Sequence, residues 1–225
     1  MALSLASFGA VQAPPVSAGG APPACRYDDV LTRYTARREW RITLLDTIYM
    51  VPKSYTPGRL ASTYQAGLNS GHEVRRVMLS DLTALARAAR QAGAPLRVVS
   101  GYRTYRQQKS LFNREVNNKG LDAALKSVAR PGHSEHQLGT TIDFGSANTS
   151  KKGWQYSDWA QTPAGAWIKA NGWKYGFLMS YPKRKKSVTC YKYEPWHWRY
   201  VGTDMAARVR QSGLTLREYL WRNHH

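Results

Sequence analysis

The chain has 225 residues, which is long enough to bury the core of one domain. It carries 33 Lys and Arg residues against 14 Asp and Glu, a formal net charge of +19, so its surface attracts polyanions such as nucleic acid, anionic lipid or charged wall polymers. The charge is spread along the chain, and no segment is apolar over enough residues to span a bilayer. Composition therefore argues against a membrane-spanning protein but selects no single polyanion.

The first 24 residues predict a leader that precedes the folded domain. Residues 1–13 are apolar and end in Ala-Val-Gln-Ala, which resembles the second half of a secretory signal with its small-residue cleavage site. A positively charged start is missing, so the alternative is a disordered tail rich in Ala and Pro. Residues 14–24 favour a linker in either case. We expect a signal-like or disordered leader over residues 1–24 and one domain over residues 25–225.

The two cysteines bear on compartment and on metal chemistry. Cys25 and Cys190 lie far apart and form no Cys-x-x-Cys pair, so a thiolate zinc site is not expected. In an oxidising compartment they would form a disulfide between the start of the domain and the segment before Glu194, which favours secretion. The alternative is two unpaired thiols.

The first half of the domain predicts a strand, a helix and a second strand. Residues 40–48 are rich in β-forming side chains and favour a strand. Residues 78–92 carry apolar side chains at helical spacing, and Gly93 marks the end of that helix. Residues 96–100 favour a short strand.

The second half predicts three helices and one strand, without internal repeats. A helix is expected from Thr104, because Gln107 three residues later completes a capping-box pattern, and another from Thr215 for the same reason. Residues 162–172 favour a helix with Pro at its first position and Gly at its end. Residues 140–144 favour a strand.

Arg103 stands at the predicted junction between the strand 96–100 and the helix from Thr104. Side chains at such a junction can point into a cleft. An isolated Arg in a chain with 33 basic residues is usually a solvated surface residue. Beside a metal site, Arg103 becomes a candidate for holding a carboxylate or a developing oxyanion.

Two short stretches supply imidazoles and carboxylates in a pattern that suits zinc. His136 lies in a Gly- and Ser-flanked loop, and Asp143 follows seven residues later on an expected strand. Glu194 and His197 are three apart, as neighbours on a helical turn would be. A catalytic zinc takes three protein ligands and keeps one position for water. We assign His136, Asp143 and His197 as the ligands and Glu194 as the base that acts on the water.

Other interpretations of these residues stay open. A lone His is more often packed or solvated than a ligand, and Asp143 could instead cap the chain or pair with an Arg. His133 is a rival ligand if residues 133–136 are helical, but the neighbouring Pro and Gly residues favour a loop. Trp196 and Trp198 would line the cleft or pack in the core. Residues 183–186, Lys-Arg-Lys-Lys, are either a solvated turn or a contact for anionic wall polymer.

Three linked motifs carry a resemblance to a known family. They are Ser134-Glu-His136-Gln-Leu-Gly139-Thr-Thr-Ile-Asp143, Glu194-Pro-Trp-His197-Trp, and Ser100-Gly-Tyr-Arg103-Thr-Tyr-x-x-Gln108. Over roughly residues 40–202 the chain resembles the zinc D-alanyl-D-alanine carboxypeptidases of the vancomycin-resistance type, with the motifs in the family's order. One departure is Thr141, where many relatives carry Ala; since it is not a ligand, it leaves the assignment intact.

The resemblance implies a single compact α+β domain in which a small antiparallel sheet, flanked by helices, carries the site. It implies that Arg103 polarises the scissile carbonyl or stabilises the oxyanion, and that the base later donates its proton. The implied roles are metal binding (Zn2+) for His136, Asp143 and His197, general base for Glu194, and substrate binding for Arg103, Gln108 and Ser134.

We therefore expect a bacterial enzyme, secreted or associated with the cell wall, that hydrolyses peptidoglycan stem peptides, first of all at a D-alanyl-D-alanine end. One alternative is an L-alanyl-D-glutamate or other cell-wall endopeptidase that uses the same site. Another is a zinc-stabilised domain that binds the cell wall without catalysis, although the presence of both Glu194 and Arg103 counts against it. Nucleic acid is not an expected partner, because only the charge favours it and no binding motif is present. Anionic wall polymers are a second candidate partner.

Overall fold

The computed structural model describes residues 20–225. The signal-like stretch expected over residues 1–13, with the first part of the linker, lies outside these described residues. Within them the strands are β1 (Val30–Leu31), β2 (Tyr49–Met50), β3 (Leu60–Ser62), β4 (Glu73–Arg75), β5 (Leu96–Ser100), β6 (Thr141–Ser146), β7 (Phe177–Met179) and β8 (His197–Tyr200). The α-helices are α1 (Leu79–Gln91), α2 (Tyr105–Lys119), α3 (Leu121–Leu125), α4 (Pro163–Asn171), α5 (Lys186–Thr189), α6 (Thr203–Ser212) and α7 (Leu216–His224).

A four-stranded antiparallel sheet forms the centre of the fold. Its strand order is β5-β6-β8-β7, and two further pairs, β1 with β2 and β3 with β4, lie outside it. In this sheet Asp143 on β6 is in register with His197 on β8 and with Ser100 at the end of β5. Directly opposite residues of antiparallel strands have their Cβ atoms about 5 Å apart. The register therefore places a carboxylate beside an imidazole that is distant from it in sequence.

Helix α1 and the sheet share one hydrophobic core. The buried face of α1 consists of Leu82, Leu85, Ala86 and Ala89, which follow the spacing of an amphipathic helix. Within the same core lie the inward side chains of the two central strands and β5, among them Val98, Ile142, Phe144 and Trp198. Truncating such a residue to Ala typically lowers the free energy of unfolding by about 2–5 kcal/mol. The backbone around Asp143 is thus held by dense packing.

The C-terminal helices have a hydrophobic core of their own. Residues of α6 and α7 form a second core with Leu44 and Val201. On α7, Nε of Arg217 lies 2.6 Å from Oδ2 of Asp46, and both side chains are buried. The disulfide expected between Cys25 and Cys190 is present and joins the first described segment to the end of α5.

Most of the predicted elements are confirmed. The helices expected at residues 78–92, from Thr104, at 162–172 and from Thr215 are α1, α2, α4 and α7, and both predicted capping boxes form. The strands expected at residues 96–100 and 140–144 are β5 and β6. The predicted class, an α+β domain with a small antiparallel sheet, is also confirmed. None of the helices described is both long and apolar enough to cross a bilayer.

The strand expected over residues 40–48 is wrong. The chain there leaves a 3-10 turn at Arg37–Glu39 and continues in tight turns, with the amide of Thr43 donating to the carbonyl of Glu39. The carboxylate of Asp46 then accepts from the amides of Ile48 and Tyr49 at 2.7 and 2.8 Å. Side-chain acceptors of this kind compete with strand pairing for the backbone donors. Only two residues, Tyr49–Met50, pair as a strand.

Candidate active site

His136 lies on a tight turn that precedes β6. It lies on the 3-10 helix Glu135–Leu138, which ends at Gly139 with φ of 71°, a conformation that glycine adopts without strain. Nδ1 of the buried His136 ring lies 2.7 Å from the carbonyl oxygen of Gly101. Because a carbonyl only accepts, Nδ1 carries the proton and donates it. The lone pair of Nε2 is then directed at Asp143, whose Oδ2 lies 3.2 Å away.

Asp143 and His197 complete a buried three-residue cluster with His136. Nδ1 of His197 lies 3.2 Å from Oδ1 of Asp143. One ligand atom from each of the three side chains falls within 4.8 Å of the other two. Oδ1 of Asp143 is buried without a hydrogen-bond partner, which is costly for a carboxylate oxygen unless a cation satisfies it. Two imidazole nitrogens and one carboxylate form a donor set that suits a catalytic zinc.

The electrostatics of the cluster favour a cation between the ligands. Burial lowers the pKa of His136 to about 4, so this imidazole is neutral at pH 7 and has a free lone pair. Burial also opposes charge on His197, but the adjacent carboxylates of Asp143 and Glu135 prevail and raise its pKa to about 10. Burial disfavours the Asp143 carboxylate as well, yet the two imidazoles hold its pKa well below its usual range. A divalent cation would supply the positive charge in place of the proton on His197.

Glu194 lies in the turn that leads into β8. Its amide donates to the carbonyl of Tyr181, and the amide of His197 donates to the Glu194 carbonyl, both at 3.1 Å. Oε2 of Glu194 lies 3.6 Å from Nδ1 of His197. The two side chains are thus neighbours, although His197 begins a strand and not a helical turn. Burial raises the pKa of Glu194 to about 7, which suits a base at neutral pH.

Arg103 follows β5 at the entry to α2, at the strand-to-helix junction that the sequence indicates. Its Nη1 lies 3.9 Å from Oδ2 of Asp143. Nε donates to Oε1 of Gln108 at 2.8 Å, and Nη2 donates to Oγ of Ser134 at 3.4 Å. These contacts fix the plane of the guanidinium, which lines the same cleft as the cluster.

The two remaining substrate-side candidates differ in position. Ser134 lines the cleft. Gln108 is 0% exposed, and its Nε2 donates to the carbonyl of Ala129 at 2.6 Å, so it lies behind Arg103 and orients the guanidinium. The capping box of Thr104 and Gln107 predicts where α2 begins but does not indicate that the Gln108 side chain faces inward.

The cluster opens into a cleft of about 900 Å³ with aromatic walls. The ring of Tyr181 lies 4.6 Å from that of His197, centroid to centroid. Trp196 lines the cleft and packs edge-on against the half-exposed Trp154 at 5.8 Å. Trp198 instead lies in the hydrophobic core. Trp196 therefore lines the cleft and Trp198 packs in the core, which are the two positions predicted for this pair.

His133, the rival ligand, is not part of the cluster. Its Nδ1 lies 2.8 Å from the carbonyl oxygen of Asp46, and its Nε2 lies 2.9 Å from Oδ1 of Asp29. Both ring nitrogens are therefore engaged elsewhere, and His133 has a structural role.

Glu135 is a further member of the site that the motifs do not reveal. It is buried and accepts hydrogen bonds from Oγ of Ser180 at 2.6 Å and from Nε2 of His197 at 2.9 Å. Its only signal in the sequence is an acidic side chain directly before His136. Its partners are distant in sequence, so local patterns do not show the contact.

Comparison with known proteins places this site in a family. The family model described as VanY, D-alanyl-D-alanine carboxypeptidase, matches residues 71–203, which is more than half of the chain and contains every assigned site residue. A Bacillus subtilis (strain 168) protein named "Putative carboxypeptidase YodJ" is 36% identical over 184 residues, 79% of this chain. The chain spans 66% of that protein's length.

Two solved structures share both fold and sequence with the chain. The LdcB LD-carboxypeptidase superposes with a TM-score of 0.72 at 35% identity, over 80% of this chain and 85% of its own. A vancomycin-resistance D,D-pentapeptidase VanY, solved in complex with Zn(II), superposes with a TM-score of 0.68 at 31% identity, over 81% of this chain and 99% of its own. With a buried His-Asp-His cluster and motifs in the same order, the chain belongs to the VanY family of D-alanyl-D-alanine carboxypeptidases.

Proposed function

We propose that this protein is a zinc-dependent carboxypeptidase that removes the terminal D-alanine from peptidoglycan stem peptides ending in D-alanyl-D-alanine. The observation that carries the proposal is the His136–Asp143–His197 cluster at the base of an open cleft, with Glu194 and Arg103 on the same walls. The similarity to a Zn(II)-bound VanY peptidase supports the choice of metal.

The three ligands fit zinc in number and in kind. Catalytic zinc sites use three side chains of His, Asp, Glu or Cys and leave a position for water or substrate. Here Nε2 of His136, a carboxylate oxygen of Asp143 and Nδ1 of His197 would hold the ion, and the unpartnered Oδ1 of Asp143 is the atom that most needs it. When bound, zinc supplies Lewis acidity that lowers the pKa of water and polarises a carbonyl.

Glu194 acts as the proton carrier of the reaction. Its carboxylate takes a proton from the attacking water as the C–O bond forms. It then returns that proton to the leaving amine of D-alanine as the C–N bond breaks. A pKa raised by burial to about 7 suits both directions of transfer near neutral pH.

Arg103 supplies the fixed positive charge opposite the base. Its guanidinium binds either the terminal carboxylate of the substrate or the oxyanion that develops on the scissile carbonyl. Gln108 and Ser134 hold the guanidinium plane, so the group is oriented before substrate arrives. The presence of both Glu194 and Arg103 at the cluster supports catalysis over a purely structural zinc site.

A second candidate reaction is L,D-carboxypeptidase activity, which removes D-alanine from an L-configured residue. It is favoured by the similarity to the LdcB LD-carboxypeptidase, whose TM-score and identity both exceed those of the VanY D,D-pentapeptidase. Both reactions release a terminal D-alanine with the same zinc ligands, base and cation.

Matched substrates test the proposal. Purified protein is incubated with a muramyl pentapeptide ending in D-alanyl-D-alanine, with the tetrapeptide that ends in one D-alanine, and with intact peptidoglycan. We expect release of D-alanine from the pentapeptide and conversion of its mass to the tetrapeptide. Release from the tetrapeptide alone assigns L,D specificity, and cleavage at L-alanyl-D-glutamate with no free D-alanine contradicts a carboxypeptidase.

We also propose that the protein is secreted or associated with the cell wall. The Cys25–Cys190 disulfide and a wall-peptide substrate both fit a secreted or wall-associated protein. The net charge of +19 fits attraction to anionic wall polymers. The most basic run, residues 183–186, begins in an exposed turn, where Nζ of Lys183 lies 3.5 Å from Oδ2 of Asp158. Thiol trapping of the protein in its native compartment tests this: an alkylation-resistant Cys pair is expected, and two free thiols would contradict it.

A further inference from the structure

Glu135 occupies the side of His197 that faces away from the ligand cluster. Nδ1 of His197 faces Asp143, and Nε2, on the opposite side of the ring, lies 2.9 Å from Oε2 of Glu135. Oγ of Ser180 donates to the same Oε2 at 2.6 Å. The carboxylate is only 4% exposed, so water does not compete for these bonds.

A buried arginine anchors this carboxylate from behind. Nη1 of Arg199 lies 3.0 Å from Oε1 of Glu135, and Arg199 is 0% exposed. Its Nη2 donates to the backbone carbonyls of Trp40 and Thr43 at 2.9 and 2.7 Å. A buried carboxylate is tolerated when paired and hydrogen-bonded, and these contacts satisfy both of its oxygens. The arrangement fixes Glu135 in place before any ion or substrate binds.

The donor and acceptor chemistry leaves one tautomer for a metal-binding His197. The Glu135 carboxylate, paired with Arg199 and accepting from Ser180, can only accept from the imidazole, so Nε2 of His197 must carry the proton. Nδ1 then keeps its lone pair and directs it at the cluster. His136 follows the same rule with opposite atoms, since its Nδ1 donates to Gly101 and its Nε2 faces Asp143. Partners of this kind orient metal-binding imidazoles and raise their basicity.

We infer that Glu135 is a positioning residue that selects the Nδ1-coordinating tautomer of His197 and thereby sets the affinity of the site for zinc. This inference rests on the proposed metal site, but it concerns a residue that neither the ligand set nor the catalytic groups include. Glu135 touches no substrate atom in this assignment; it acts through His197. Its loss should therefore weaken zinc binding first and turnover only in consequence.

Glu135→Gln tests the role with little change in shape. The Gln amide has one acceptor oxygen, whereas Ser180, His197 and Arg199 all donate to the carboxylate. Its NH2 group therefore faces at least one of these donors. We expect the zinc dissociation constant, measured by chelator competition, to rise about 10–100-fold. Added zinc should restore turnover of Glu135→Gln, whereas it should not restore Glu194→Gln. Glu218→Gln, in the capping box of α7, is the matched control and should bind zinc as the wild type does.

Two further measurements keep the test informative if Glu135→Gln folds poorly. Glu135→Asp keeps the charge near Arg199 but withdraws the acceptor from His197, and we expect a smaller loss of zinc affinity. In the zinc-loaded wild type, nitrogen-15 NMR should show a slowly exchanging proton on Nε2 of His197.

The outcomes separate this inference from the proposed function. Tight zinc binding that neither Glu135 variant changes, or a His197 proton on Nδ1, would overturn the role of Glu135 and leave the peptidase proposal standing. Absence of zinc binding by the wild type would overturn both.

Discussion

Nε of Arg103 donates to Oε1 of Gln108 across 2.8 Å, and Gln108 is fully buried behind it. Gln108→Leu removes this acceptor and also the donor to Ala129 while keeping a similar volume. A hydrogen bond to a charged group is worth about 1.5–3 kcal/mol, so we expect kcat/KM for D-alanine release to fall at least about tenfold. Zinc content should not change. Gln91→Leu, exposed at the end of α1, is the control, and equal activity of the two variants would refute the orienting role.

The geometry of the Arg103 guanidinium is expected to matter more than its charge. Arg103→Lys keeps a positive charge but loses the planar fork that Gln108 and Ser134 orient. We expect kcat/KM to fall about 100-fold with full zinc content. Arg106→Lys, at the exposed second residue of α2, should have no effect. An Arg103→Lys enzyme with normal kinetics would show that charge alone suffices at this position.

Glu194 and His197 should separate in their effects on metal and on turnover. Glu194→Gln keeps the three ligands but removes the base, so we expect normal zinc content and a loss of kcat of about 100- to 10,000-fold. His197→Ala removes a ligand and should lose both zinc and activity. Glu39→Gln, at a carboxylate that accepts from the backbone amide of Ala36, controls for the loss of one carboxylate. Near-normal turnover by Glu194→Gln would assign the base to another group.

The pKa of His133 is lowered by burial, and this makes folding stability depend on pH. Well above pH 6.5, the ordinary pKa of His, neither the folded nor the unfolded chain holds this proton. As the pH falls below that value, the unfolded chain binds the proton first, so the free energy of unfolding decreases. Between about pH 8 and about pH 5.5, we expect His133→Gln to lose less stability than the wild type in urea titrations. Parallel losses would mean that His133 titrates alike in both states.

The disulfide should contribute to stability and not to chemistry. It closes a loop with a sequence separation of 165 residues. Replacing both Cys25 and Cys190 with Ser should lower the free energy of unfolding by about 4–5 kcal/mol in the chain-entropy model. Chemical reduction of the wild type should give the same loss, and zinc content below the unfolding transition should be unchanged. A change under about 1 kcal/mol would show that other contacts already hold the two segments together.

Where local chemistry decides the structure, sequence predicts it well. Thr104 and Thr215 each form the capping box that their Gln or Glu partner predicts, since the interacting groups are three residues apart. The expected grouping of His136, Asp143 and His197 is likewise present, and the structure adds its cause, the register of β6 and β8.

Where the decisive contacts are distant, sequence patterns fail. Residues 40–48 have strand-like composition, but the Asp46 carboxylate holds their backbone in turns and its own partner, Arg217, comes from the last helix. Glu135 has partners on β8 and next to β7, so no local pattern marks it. The motif that contains Gln108 does not show that the packing of α2 buries this side chain against Arg103.

We propose above all that His136, Asp143 and His197 hold a zinc ion that peptide hydrolysis requires. The most direct measurement combines metal analysis of the purified protein with release of D-alanine from the muramyl pentapeptide, with and without a chelator. We expect one zinc per chain, loss of D-alanine release on chelation, and recovery on adding zinc back. Release of D-alanine that is unaffected by complete removal of the metal, or a protein that binds no zinc, would contradict the account.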